Sequence, residues 1–337
     1  MSEQKLFDAA LVLLKGEGRP AVEAGTAARF PLHWLSDLNR NQMAKFARFW
    51  RGLPVESRRD LISRMEEEAR ENFEVDFLAV ARIALDDADA EVRVHAIRSF
   101  WECGDAKLVD RFIRLMEQDP DPAVRACAAE ALGPFVERAE LEELPPSVGE
   151  RIIARLIAMI RGRHDLEIRR RAVESIGYAS HPQVRAILEN AYAHPEERMR
   201  GSALRAMGRS ADAAFSEVVA DELRNPSPML RAEAARAAGA LEMRKAVPQL
   251  IDLLEDADAG VRGCAIDALG EIGGEKAREA LARMQKQASG GEWDRIETAL
   301  EKAEFQDSLG DLPLLDLEGL DEEEEDLEDD FEVEDWG

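Results

Sequence analysis

A phrase of thirteen residues recurs along this chain and constrains its fold more than any other feature. Its clearest copies run from Asp121 to Gly133 (DPAVRACAAEALG) and from Asp258 to Gly270 (DAGVRGCAIDALG). Reduced to residue types it reads acid, two residues, aliphatic, Arg, two residues, Ala, two residues, small, aliphatic, Gly. Looser copies place Arg93, Arg169, Arg200 and Arg231 in the slot of Arg125 and Arg262. The six arginines are separated by 32, 44, 31, 31 and 31 residues. A period of that kind marks a stacked-repeat architecture. A lone helix pair of about thirty residues buries too little apolar surface to offset its chain entropy, whereas stacked pairs share a continuous core.

Apolar spacing within each unit predicts a helix, a turn at the acid, and a second helix carrying the arginine. First helices are expected near 76–85, 106–118, 147–162, 183–193, 212–224, 244–255 and 275–287. Second helices are expected near 90–102, 122–137, 166–178, 196–209, 228–240, 259–272 and 292–306. The long interval holds about thirteen extra residues, 137–149, expected to extend a turn and the following helix. Ala128, Ala172, Ala203, Ala234 and Ala265 are placed where helices approach closely. The glycines at 133, 177, 208, 239 and 270 are expected at helix ends, in left-handed backbone. The last pair lacks the arginine phrase and reads as a terminal cap, with Trp293 and Ile296 inward.

The phrase resembles the HEAT-like repeat of the phycobilisome-lyase type, over roughly 76–306. That resemblance implies an all-α fold: a right-handed α-solenoid whose second helices line the concave face. The expected organisation is an N-terminal helix and connector (1–34), a helical cap (35–75), the solenoid (76–309) and a disordered acidic tail (310–337). In the N-terminal part, Ser2 is a candidate cap for an amphipathic helix with Leu6, Ala10, Leu13 and Leu14 on one face. Two further helical segments break at Gly52-Leu53-Pro54 and carry Met43, Phe46, Trp50, Leu61, Ile62 and Met65 as core.

Charge narrows the function classes. Forty-four basic residues face seventy acidic ones, a net −26. Residues 311–337 hold fifteen acids and no Lys or Arg, so 1–310 carry 44 basic and 55 acidic residues, a net −11. An acidic trunk repels phosphate backbones and argues against general nucleic-acid binding. No apolar run approaches the ~20 residues a membrane span needs, and no signal peptide is expected. Three dispersed cysteines make no disulfide framework, which points to a reducing cytoplasm.

The arginine column admits two readings. Asp89, Asp121, Asp165, Glu196 and Asp258 precede Arg93, Arg125, Arg169, Arg200 and Arg262 by four residues, with Ser227 before Arg231. One reading is a structural ladder bracing successive turns, each carboxylate also capping its own helix. The other is a row of cations for an anionic ligand. Five residues beyond each arginine, on the expected concave side, stand Arg98, Glu130, Glu174, Arg205, Arg236 and Asp267. Arg170, Arg171 and Arg209 make the middle of that row basic, with Arg161, Arg163 and Arg169 nearby. The bland reading is a solvated face; the sharper one is a docking patch for an acidic peptide, with Arg98, Arg170, Arg171, Arg205, Arg209 and Arg236 as its cations.

Catalytic and metal signatures are sparse. Deoxyhypusine hydroxylase resembles this scaffold, but its iron sits on His-Glu dipeptides, and none of the five histidines here precedes Glu. No metal and no cofactor is expected. A bilin-lyase-like activity stands as a lesser alternative on resemblance alone. In the tail, Leu312 to Leu320, Phe331, Val333 and Trp336 alternate with acids, a composition of solubilising segments and of partner-binding ones. The expected function is a non-enzymatic scaffold that binds a protein partner; the alternative is an acidic-tailed assembly chaperone for basic clients.

Overall fold

The computed structural model describes residues 3–14 and 31–310. The Ser2 cap, the Leu13 side chain, most of the expected connector and the acidic tail lie outside the described residues. Among the described residues every regular element is helical. The chain divides into two compact units, 1–241 and 242–337.

In the first unit α1 (Glu3–Leu14) buries Phe7, Ala10 and Leu11. Helices α2 (Arg40–Trp50) and α3 (Val55–Glu71) follow, separated at Pro54. Asn39 opens α2 with a capping box, its side chain accepting from Gln42 N–H while Gln42 reaches back to the cap N–H. Phe46, Trp50, Leu61, Ile62 and Met65 are buried as expected; Met43 is half-buried. Helix pairs then come in order: α4 (Leu78–Ala84) with α5 (Ala90–Arg98), and α6 (Lys107–Gln118) with α7 (Pro122–Ala131) and α8 (Gly133–Glu140). Next are α9 (Pro146–Arg161) with α10 (Leu166–Ile176), α11 (Val184–Tyr192) with α12 (Glu197–Arg209), and α13 (Ser216–Glu222) with α14 (Pro228–Ala240). Each first helix packs on its own second helix, and consecutive second helices α5, α7, α10, α12 and α14 pack on one another. Helix α3 packs on α5 and α2 on α4, so α2–α3 adds a pair at the head of the stack. Arg59 ties it down, gripping Asp89, the cap of α5, through Nε at 2.9 Å and Nη2 at 2.6 Å.

The second unit holds α15 (Val247–Leu253) with α16 (Ala259–Ile272), and α17 (Glu275–Gln285) with α18 (Gly291–Gly310). Ile296, Ala299 and Ala303 form the buried stripe of α18. Trp293 is not inward: its residue is 37 % exposed, because the covered stripe of α18 begins a turn later.

Two expectations need correction. The extra residues do not simply lengthen a turn. The expected helix 122–137 breaks at Leu132, since Pro134 lacks an N–H and its ring crowds the preceding turn, and a separate helix, α8, forms. The repeat glycines are not left-handed helix ends either. Gly177 has φ −56°, and Gly208 and Gly270 lie inside α12 and α16. They permit close approach: a Cβ on Gly177 would sit 2.6 Å from Ala206 O, one on Gly208 2.8 Å from Ala237 Cα, and one on Gly270 2.8 Å from Ala299 O. The repeat alanines 128, 172, 203, 234 and 265 are fully buried beside them. Positive φ falls three residues after Gly208, Gly239 and Gly270, at Ala211, Glu242 and Gly273.

Candidate functional site

Five of the repeat arginines donate to backbone carbonyls of the preceding turn or of the last turn of the preceding helix. Arg93 Nη1 donates to Asp87 O (2.9 Å) and Ala88 O (3.1 Å). Arg262 Nη1 donates to Asp256 O (2.9 Å), and Arg231 Nη1 to Asn225 O (2.8 Å). Arg125 and Arg169 donate through Nε to Met116 O and Ile160 O, at 3.0 and 3.1 Å. Arg200 sits in the same slot with Nε buried and unbonded. Arg93 also reaches forward to a carboxylate: it binds Asp119 of the next turn, Nε at 2.8 Å and Nη2 at 2.7 Å.

The acids have a different task. Asp89, Asp121 and Asp258 cap α5, α7 and α16, accepting from Val92, from Ala123, and from Gly260 and Val261. Asp165, Glu196 and Ser227 make no side-chain cap bond. The Arg59 hydrogen bond holds the Asp89 carboxyl below the ordinary carboxylate range, against a smaller opposing push from burial.

The candidate docking cations lie on the second helices, and most of them are engaged. Glu174 on α10 is only 2 % exposed. Ser202 Oγ donates to its Oε1 at 2.6 Å and Arg171 Nη1 to its Oε2 at 3.0 Å, with Arg170 Nη2 3.5 Å and Arg205 Nη1 3.9 Å away. Arg170 also donates twice to Glu167, at 2.9 and 2.8 Å, and Arg171 reaches Glu167 and Glu130. Arg205 clasps Glu233 of α14 bidentately, at 3.0 and 2.6 Å, and Arg236 adds a bond of 2.8 Å to the same carboxylate. Arg198 closes the lattice onto Glu167 at 3.1 Å. The basic middle is thus largely neutralised from within, in a strip crossing α7, α10, α12 and α14.

Titration follows the contacts. Burial pushes the Glu167 carboxyl up, but the Arg170 and Arg171 guanidiniums outweigh it and hold its pKa below the ordinary value. The Glu233 hydrogen bond raises Arg205, and three glutamates together raise Arg171 against the effect of its burial. Arg209 and Arg98 differ from the other four cations. Arg209 donates to the Glu174 backbone carbonyl at 2.9 Å and stacks over Tyr178, 4.8 Å from the ring centroid. Arg98 is exposed, at the end of α5, beside Cys127.

Sequence reasoning passed over Glu167 and Arg198 and read Glu174 as a projecting residue. Two signals were there. Glu167–Arg171 and Arg170–Glu174 are four-residue helix pairs. Across helices, Glu174–Ser202 and Arg205–Glu233 are both 28 residues apart, the repeat of 31 less one turn.

Among the described residues no group of His, Cys, Asp and Glu is arranged to hold a metal ion, and no helix is long and apolar enough to cross a membrane. His181 and His194 accept backbone N–H groups at Nδ1 from Gln183 and Glu196, at 3.2 and 3.1 Å.

Helix pairs stacked through their second members define an α-solenoid. Residues 78–146 and 216–300 match the family described as HEAT repeats, so the chain carries HEAT-like repeats over those two regions. No curated protein matches it. Among solved structures it is similar to the complex of CpcE and CpcF of phycocyanin lyase from a Nostoc species, at 18 % identity and TM-score 0.46, covering 67 % of this chain and 94 % of that one. It is also similar to YibA of Escherichia coli, at 15 % identity and TM-score 0.42, covering 85 % and 99 %. Human deoxyhypusine hydroxylase in complex with glycerol aligns at 17 % identity and TM-score 0.36, covering 79 % and 96 %. Identities this low carry no information on activity.

Proposed function

We propose that this chain is a non-enzymatic scaffold that binds a protein partner along the second-helix surface of its first unit. The observation that carries the reading is the charged strip from α7 to α14. Its buried members, Glu174 and Glu233, hold the guanidiniums of Arg170, Arg171 and Arg205 in place. Its outer members face solvent: the side chains of Arg198, Arg236 and Glu130 are 64 %, 49 % and 49 % exposed. Charges whose geometry is already set lose less entropy on docking than free side chains do. A partner for this strip presents both signs of charge, not a run of acids. Cys103, Cys127 and Cys264 are thiols outside any disulfide, which accords with a reducing, cytoplasmic setting.

The test removes two well-exposed candidate cations of the second-helix surface, Arg236 within the strip and Arg98 on α5, which packs on α7 at its edge. Full-length protein and the double variant Arg98→Ser, Arg236→Ser are used to capture partners from native lysate, with Arg224→Ser as a control outside the strip. The expected result is one stoichiometric protein, held about tenfold more weakly by the double variant and unchanged by the control, at equal melting temperature. Equal capture by all three proteins rejects this surface.

A second reading rests on the fifteen acids of 311–337. In it the tail shields basic clients, as assembly chaperones do. Deleting 311–337 then releases basic proteins and lessens the salt dependence of capture; unaltered clients and salt dependence reject it.

A further inference from the structure

A cavity of about 290 Å³ opens between the last turn of α9, the first turns of α10 and the length of α11. Its polar lining is Arg161, Arg169, His194 and Asn190, and no carboxylate is among the lining residues. Its floor is apolar: Val173, Ile187 and Met199 are all buried.

The repeat supplies an internal comparison. In the column to which Arg169 belongs, Arg93 is matched by Asp119 and Arg125 meets His164 Nδ1 at 3.1 Å. In the second unit the corresponding cavity is lined by Arg262 together with Glu255 and Glu292, and Glu292 lies 3.7 Å from Arg262. Arg169 commits only Nε, to Ile160 O. Its terminal nitrogens bond no described residue and are not sealed from solvent. His194 accepts at Nδ1, which leaves the proton on Nε2, so this ring is also a donor. Arg161 is exposed and makes no ion pair with a described residue. The cavity therefore gathers donors around an apolar floor, and the counter-charge present in the sister cavity is missing.

We infer that this cavity is a docking subsite for an acidic side chain of a partner polypeptide, flanked in that partner by aliphatic residues. A carboxylate on a hydrocarbon stem matches a rim of guanidinium and imidazole donors above Val173 and Met199. A phosphate would leave oxygens against the apolar floor without partners. At about 290 Å³ the space is just below the range of ligand pockets, which run ~300–1,000 Å³, and suits a side chain rather than a cofactor. The inference deepens the protein-binding reading but rests on residues separate from Arg98 and Arg236, so the two tests fail independently.

The test follows the imidazole ¹H–¹⁵N signals of full-length protein, with that of His194 assigned through His194→Gln. The probe is acetyl-Leu-Leu-Asp-Leu-amide, with the Asn peptide as its neutral analogue and inorganic phosphate as the competing anion. The expected result is a saturable shift of the His194 signal with the Asp peptide alone. Arg161→Glu is expected to weaken binding by about tenfold or more without changing the melting temperature, since its side chain supports no fold contact. Three results would overturn the inference: equal shifts with the Asn peptide, unchanged affinity in Arg161→Glu, or the same saturation with phosphate.

Discussion

Ala211, Glu242 and Gly273 stand 31 residues apart and have φ of 51°, 48° and 66°. Each closes a second helix with a left-handed residue, which only the third supplies without steric cost. An L-residue pays roughly 1–2 kcal/mol there, and glycine returns about 0.4–1 kcal/mol of that through the entropy of the unfolded chain. Ala211→Gly should therefore raise the melting temperature slightly, by about 1–3 °C; a calorimetric scan showing a fall would mean that Ala211 makes packing contacts worth more than its strain. The slot was not visible beforehand, because two of its three occupants are Ala and Glu. The glycines that were visible in the phrase serve another purpose.

At the scale of the helix, that purpose is contact between second helices. Gly208→Ala would put a methyl 2.8 Å from the Ala237 Cα, a backbone atom that cannot swing aside. Helices α12 and α14 would have to part, at a cost of ~1–3 kcal/mol, read as a lower denaturation midpoint at unchanged slope. A variant as stable as the parent would show that the stack relaxes freely. The charge lattice sits on the same helices. Glu174→Gln keeps the shape but leaves Arg170, Arg171 and Arg205 facing one another with less neutralisation. Removing one side of a buried pair costs about 3–5 kcal/mol, so this variant should be among the least stable single substitutions in the chain. If it melts within a degree of the parent, the lattice is a surface feature. The candidate site was half legible: its helix face and its arginines followed from periodicity, but their partners lie on other helices.

For the whole molecule, titration sets the limits of stability. At the acid end Asp89, Asp105, Glu167 and Asp212 all have lowered pKa values. A lowered carboxyl stabilises the fold above its unfolded pKa of roughly 4 and loses that contribution as pH falls through the folded value. At the alkaline end burial pushes the Cys127 thiol up to about 12. Burial, followed by the hydrogen bond to Glu222, raises Tyr192 to about 12 as well. A raised acid contributes fully below its unfolded pKa, about 8.5 for Cys and 10 for Tyr, and that contribution is lost as pH rises toward the folded value. Melting temperature should hence fall below about pH 4 and again above about pH 9. Cys127→Ala should flatten the alkaline limb, and parallel limbs in parent and variant would discount the thiol.

Much of this architecture was written in the chain. The arginine spacing set the phase of the six pairs that carry the phrase, and an expected helix at 147–162 is found at Pro146–Arg161. Such features depend on the local apolar period and on capping acids, which a sequence displays directly. Tertiary structure alone decided which charges meet, why Gly177 and Gly208 are small, and where a cavity without a carboxylate opens beside Arg169. Those outcomes turn on how close and how rotated neighbouring helices are. A shift of about 1 Å separates a hydrogen bond from none, and no local pattern of residues encodes a distance that fine.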